Sequence, residues 1–457
     1  MKKLIIIASV VLVALASLPL IGNKIVESEL STKLKTLNSY GVQTKKEITH
    51  FKYLDTKKHY EFVVSDADKF IEYLSKFSNA QIAPYINKFL DGTTLGVDLK
   101  YSNIPISKAI SVDIRPISLS KKAMDEIKND DADFALYLEK FLKNGGLEYH
   151  IDYNVVNQEF NGHIKDIEES YTFASGQKLD ARLQGSVFSG KGLLVAPEQI
   201  DSKTKSIYLD ITNKTNHIKV DFQNINLLSS FESRTTYQTN MKMDSFSFDI
   251  DDDKTGKSKL NIQNPVLNFA SDTKGIKAEF ISKSSFEKLY LKTKQQELEI
   301  SSFNYDVDLK DIDKDSFEEL SKLLSLVKQD IDAKTSLKIQ KLTQQLISRG
   351  FDLKVQDFSV KNMKINKTKD LEGITLKANI KLPQMALNSN TIRPMELLDK
   401  IDLDIFLQIS KPMFVAITQS APIIALSQGY AKEQGNDLVY NIKMKNSKIS
   451  VNDKRVR

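Results

Sequence analysis

The chain predicts an α+β fold: an extended, curved antiparallel β-sheet, or sheets, with amphipathic helices packed on the apolar face, preceded by one N-terminal transmembrane helix. Three observations predict it. From Ser206 to Leu309 apolar residues recur at every second position, with Lys, Asp, Asn and Ser between them; this is the pattern of antiparallel strands with one buried and one wetted face. Other segments carry apolar residues at helical spacing behind capping residues. Finally, an uncharged run, Leu4 to Ile21, follows Lys2 and Lys3, the order that a signal peptide and an anchor share.

As a helix that run would reach roughly 27 Å, close to the hydrocarbon thickness of about 30 Å. Leu4, Ile5, Val10, Leu15, Leu20 and Ile21 form the candidate membrane anchor. Cleavage at the small-residue pattern Ala14, Leu15, Ala16 would leave an apolar Ser17–Gly22 at the front of the mature chain, so a retained anchor is the reading taken. Charge on the first flank exceeds that of Lys24, which puts the N-terminus in the cytoplasm. The bulk then lies outside the cytoplasm, held by a single-pass anchor.

Beyond the run, Ile25 to Leu37 predicts a short helix. "EITHFKYL" and "HYEFVVS" predict paired strands across a polar turn, Asp55 to Lys58. Ser65 with Asp68 resembles a capping box, and Phe70, Leu74 and Phe77 continue a helix. "FALYLEKF" (Phe134–Phe141) matches "FIEYLSKF" (Phe70–Phe77), and each is followed by glycine and a strand starting at Leu147 or Leu95. A repeated hairpin-plus-helix unit explains this; two helices sharing apolar spacing by chance is the competing reading.

The alternating segments follow: Ile207, Leu209, Ile211; Ile218, Val220, Phe222; Phe246, Phe248, Ile250; and Phe303, Tyr305, Val307, Leu309. Ser316 with Glu319 then caps a long helix, about 316–349, bent at "DAKTSLK" and ended by Gly350. Strands return in "FDLKVQDFSVKNMKI", "GITLKANIKL" and "IDLDIFLQIS", before a helix over Pro412–Gly429 and closing strands Val439–Met444 and Lys448–Val451. Three regions result: residues 1–24, anchor or signal segment; 25–200, an α+β domain; 201–457, a β-rich domain.

Composition narrows the chemistry. With 41% hydrophobic and 27% charged residues, and 17 glycines and 10 prolines in 457 positions, the chain can build an ordered core. It has no cysteine, which excludes disulfides, zinc–thiolate sites, thiol catalysis and a lipid-modified cysteine. The net charge of +6 comes from lysines scattered among acids, as in "KDIDKDSFEELSK". They form no stripe that a nucleic acid could follow.

The closing "GYAKEQGNDLVYNIKMKNSKISVND", after a strand and an apolar helix, resembles the end of the YdgA-like family of bacterial envelope proteins, as does the Lys-Lys start. Gly429, Tyr430, Gly435, Tyr440 and Asn452 carry the match; Asp453 departs from the family's usual glycine. The resemblance implies an inner-membrane anchor, a periplasmic body and no assigned activity, and transfers no functional residue.

Motifs of known chemistry fail on particulars. "DIDDDKTGKS" has Lys254 where a calcium loop needs glycine and Leu260 where it needs glutamate; a phosphate loop would need glycine at Asp251. A polar hairpin turn explains it. His50, His59, His150, His163 and His217 stand singly, although His50 with His59, or His150 with Asp152, could meet across a hairpin. Asp130, Asp131 and Asp133 precede a helix, where acids favour the N-terminus. No catalytic, cofactor-binding or metal residue is assigned, and no cofactor.

Two function classes survive. One is a non-enzymatic scaffold or apolar-ligand protein of the envelope, its partners a lipid, an envelope protein or a second copy. The other is a periplasmic hydrolase with a carboxylate- or histidine-based site.

Overall fold

The computed structural model describes residues 23–456 except 53–54, 78–89, 103–108, 195, 254–255, 327–331, 367–370, 386–398 and 421. The chain divides into two compact units, Met1–Arg234 with Ser325–Gln329, and Thr235–Leu324 with Asp330–Arg457. Residue 200, the expected boundary, lies inside a single strand, Ala196–Thr212.

The first unit is an antiparallel meander. Helix α1 (Asn23–Ser39) precedes β1 (Val42–Phe51) and β2 (Asp55–Val64); α2 (Ala67–Phe77) then leads to β3 (Thr94–Ser102) and β4 (Ala109–Ser118). Helices α3 (Lys121–Asp130) and α4 (Ala132–Lys143) precede β5 (Tyr149–Asn154). Strands β6 (Glu159–Ile164), β7 (Ile167–Thr172), β8 (Lys178–Gln184), β9 (Ser186–Leu193), β10 (Ala196–Thr212) and β11 (Asn216–Phe231) complete it. Strands β1 to β6 each pair with the next in sequence, after which β6 pairs with β9 and β7 with β8. Those four are one long hairpin in constant register, broken at Gly185, whose φ is +61°. A left-handed residue there is easiest as glycine, and its N–H donates to Asp166 Oδ1 at 2.8 Å. Strand β10 pairs with β9 and β8 on one edge and with β11 on the other.

Alternation puts Tyr60, Val97, Ile114 and Tyr149 in one cross-strand row on the core side, and Leu99 and Ile151 in the next. All are buried, together with Leu30 and Leu37 of α1 and Phe70 and Leu74 of α2. Burying each such side chain stabilises by about 1.5–3 kcal/mol. Caps fall close to the expected places. Helix α2 is capped by Asp66, whose Oδ1 accepts the Lys69 N–H at 3.0 Å, while Ser65 donates to the Gly41 carbonyl. Asp131 caps α4 by accepting the Phe134 N–H at 2.8 Å.

The second unit is also a meander. Strands β12 (Tyr237–Lys242) and β13 (Ser245–Asp252) form one arm, and β14 (Gly256–Gln263) and β15 (Val266–Asp272) return along it. Then come β16 (Lys277–Lys292), β17 (Glu297–Asp313), helices α5 (Lys314–Leu326) and α6 (Ala333–Ser348), β18 (Phe351–Ile365), β19 (Leu371–Leu382) and β20 (Asp402–Ser410). Helix α7 (Lys411–Ser420) and a 3-10 turn (Pro422–Tyr430) lead to β21 (Lys432–Gln434), β22 (Asp437–Lys445), β23 (Lys448–Val451) and β24 (Lys454–Arg455). A 17-residue strand such as β17 runs roughly 55 Å.

The expected fold class needs correction. Among the described residues no helix is long and apolar enough to cross a membrane; α1 carries Lys24, Glu27, Glu29, Lys33 and Lys35 along its length. The candidate anchor residues Leu4, Ile5, Val10, Leu15, Leu20 and Ile21 lie outside the described residues. What is described is sheet-dominated. The long helix resolves into α5 and α6, with Asp313 rather than Ser316 capping the first, its Oδ1 accepting the Ser316 N–H at 3.0 Å. Helix α3 was missed: two lysines at its start and only Ala123, Met124 and Ile127 as apolar positions leave its periodicity faint.

Candidate functional site

The sheet of the second unit has two unlike faces. Register aligns Phe280, Leu309, Leu353, Ile380, Leu403, Met444 and Ile449 across seven strands, β16 to β23. The next row on that face is Ser282, Val307, Val355, Ala378, Ile405, Ile442 and Val451. The opposite face is charged: Asp308, Lys354, Asn379, Asp404, Lys443 and Ser450 share a row. Ion pairs such as Lys283–Asp306 at 2.9 Å lie on that same side.

Among the described residues, cover over the apolar face is local. Met413 and Phe414 of α7 close over Ile409, Leu438 and Tyr440, with Ile374 and Leu407 beside them. The Ser410 hydroxyl holds α7 in place, accepting the Met413 N–H at 3.2 Å and donating to the Glu372 carbonyl. Away from α7 the face is half-buried at Leu309, Leu353, Val355, Ile380, Leu403 and Ile405. Isolated exposed apolar residues are ordinary on a protein surface, but contiguous apolar rows are not.

The first unit gathers the histidines. On its polar sheet face Ile48, His59, Asp98, Asp113, His150, His163 and Val187 stand in one row. His59 Nδ1 lies 2.7 Å from Asp98 Oδ1, and its Nε2 3.7 Å from Glu61 Oε1. His150 is held on both sides, with Nδ1 2.6 Å from Asp113 Oδ1 and Nε2 3.2 Å from Asp152 Oδ2. Arg115 joins Asp98 at 2.6 Å and Glu148 at 3.5 Å.

Burial of the His150 ring opposes its charge, but the hydrogen bonds and charges of Asp113 and Asp152 outweigh it, so its pKa is raised. For Asp152, burial pushes upward, yet the Ser111 hydroxyl and His150 bring the net shift down. A neutral imidazole has one N–H, so a ring with carboxylate oxygens on both nitrogens is best satisfied as imidazolium. The Ser111 hydroxyl donates to Asp152, not to a ring nitrogen. No nucleophile–base pair is formed there.

The suggested pairing of His150 with Asp152 is present, whereas His50 sits opposite Lys57 rather than His59. His163, not paired from the sequence, lies against His150 with ring centroids 5.1 Å apart and the planes tilted by 34°; hairpin register, not local spacing, brings them together. His217 contacts Asp210 at 3.0 Å. Among the described residues no group of three or more His, Asp or Glu is placed to hold a metal. Two of the four "DIDDDKTGKS" acids are engaged across the β13–β14 ladder, Asp251 with Lys257 at 2.9 Å and Asp249 with Lys259 at 3.5 Å. No family model, curated protein or solved structure matches the chain.

Proposed function

We propose that the protein is a non-enzymatic binder of apolar chains, such as lipid tails, in the bacterial periplasm, and that it uses the apolar face of the second unit's sheet. The observation that supports this is the row from Phe280 to Ile449, seven apolar residues aligned over seven strands with a charged row behind. Half-buried apolar rows at about 4.8 Å strand spacing offer an extended chain continuous contact without directional polar partners. The YdgA-like layout agrees with an envelope role. The hydrolase reading loses support from the engagement of Ser111 with Asp152 and of His150 with two carboxylates.

The test is lipid extraction and mass spectrometry on protein purified without lipid exchange. Bound acyl-chain lipid is expected, and its removal should lower the melting temperature, because a ligand that binds only the folded state stabilises it. A delipidated protein with unchanged stability and no uptake of a fluorescent fatty acid would end this reading.

A further inference from the structure

The two ends of the first unit's sheet differ in the side chains that their turns expose. At one end the turns follow ordinary rules. Asn213 Oδ1 accepts the N–H groups of Thr215 and Asn216 at 2.8 and 2.6 Å, and Gly176 takes φ +82° in the β7–β8 turn. The meander brings the β1–β2, β5–β6 and β9–β10 turns to the other end, and each exposes an apolar residue in or beside it. In two of them one residue tucks inward while its neighbour projects: Val155 and Leu194 pack on the core, but Val156 is 57% and Leu193 47% exposed. Phe51, closing β1, is 65% exposed.

Backbone bonding holds two of these tips together, since the Gly192 N–H donates to the Gln158 carbonyl at 2.7 Å. Register then sets the three tips in a line, from β1 to β9, spanning roughly 30 Å at about 4.8 Å per strand. Among the described residues Phe51 stands several strands away from the other two tips, so the three do not form the contiguous patch that a protein partner's core contact requires. Exposed lysines flank them: Lys52 beside Phe51, Lys191 beside Leu193, and Lys57 and Lys100 on the strands between. Asp55, Glu159 and Glu198 lie at the same end, leaving a small cationic excess.

We infer that this end of the first unit seats on a phospholipid bilayer surface, with Phe51, Val156 and Leu193 entering the headgroup layer and the lysines meeting lipid phosphates. A flat apolar layer beneath an anionic surface accepts separate projecting side chains that water and a rigid protein surface do not. The inference concerns a surface of the first unit and stands independently of acyl-chain binding by the second.

The chain has no tryptophan, so single-tryptophan full-length variants report one position each. Phe51→Trp, Val156→Trp and Leu193→Trp place the probe at the tips, and Ser175→Trp places it in the turn at the opposite end. With phosphatidylcholine–phosphatidylglycerol vesicles the three tip probes should shift to the blue and be quenched by brominated acyl chains, while Ser175→Trp keeps its aqueous emission. Tip probes that stay in water overturn the inference, even if the chain binds vesicles through another segment. All four positions lie in turns or at a strand end, so loss of fold does not confuse the outcome.

Discussion

The Nδ1 atom of His150 on β5 lies 2.6 Å from Oδ1 of Asp113 on β4, directly opposite in the ladder, while Nε2 faces Asp152 at 3.2 Å. The imidazolium is thus a bridge between neighbouring strands of the first unit. Because its folded pKa is raised above the ordinary 6.5, its contribution is fully present below that value and is lost as pH rises through the folded pKa. Asp152, whose pKa is lowered below 3.8, contributes above that value and loses its contribution on further acidification. Stability of the first unit should therefore be higher near pH 5.5 than near pH 8.5. Urea midpoints across that range check this, and His150→Gln should flatten the difference; an equal slope in the variant would remove His150 as its source.

Asn452, one of the residues carrying the family resemblance, ties three segments at the C-terminus. Its Nδ2 donates to the carbonyls of Tyr430 and Val439, both at 2.8 Å, and its Oδ1 accepts the Asn441 N–H at 3.0 Å. Asn452→Ala leaves those groups to find water, and should cost about 1–3 kcal/mol. Chemical denaturation of the variant measures it. A loss below a few tenths would mean that solvent replaces the bonds.

Phe160 and Phe188 each cover a glycine on the strand opposite, Gly190 and Gly162 respectively. A Cβ added to Gly190 would lie 2.3 Å from the Gln199 carbonyl oxygen and 2.3 Å from the Phe160 ring. Gly190→Ala should therefore destabilise by about 1–3 kcal/mol through overpacking. Gly176→Ala is the contrast, since no atom lies within 4 Å of its added Cβ and only its φ of +82° opposes it. Calorimetry of the pair should rank Gly190→Ala as the more damaging.

Val355 sits mid-row on the apolar face of the second unit, between Val307 and Ala378. A Val355→Glu variant sets a carboxylate where an apolar chain is proposed to lie, and should weaken fluorescent fatty-acid binding about tenfold or more, since burying an unpaired charge is costly. Lys354→Glu, on the charged face, should leave binding unchanged. Equal loss in both variants would point away from this face.

Much of the ladder was legible from local pattern. The strands around Phe246–Ile250 and Phe303–Leu309, and the closing hairpin, stand where period-two alternation put them. Helix α3 was not, because its apolar positions are few, and the caps shifted to aspartates, from Ser65 to Asp66 for α2 and from Ser316 to Asp313 for α5. The histidine row was half legible: Asp152 is two residues from His150, but Asp113 and His163 reach it only through strand pairing.

By itself the sequence determined which residues share a face of each strand, since side-chain direction alternates along any extended backbone whatever it pairs with. Only the tertiary structure decided which rows line up. A shift of one residue in pairing would have broken both the Phe280–Ile449 row and the His59–His163 row. Register is settled by turn geometry and by burial over many strands at once, which no single segment carries. The same holds for the apolar tips, which become one edge only after the meander has brought their turns to the same end.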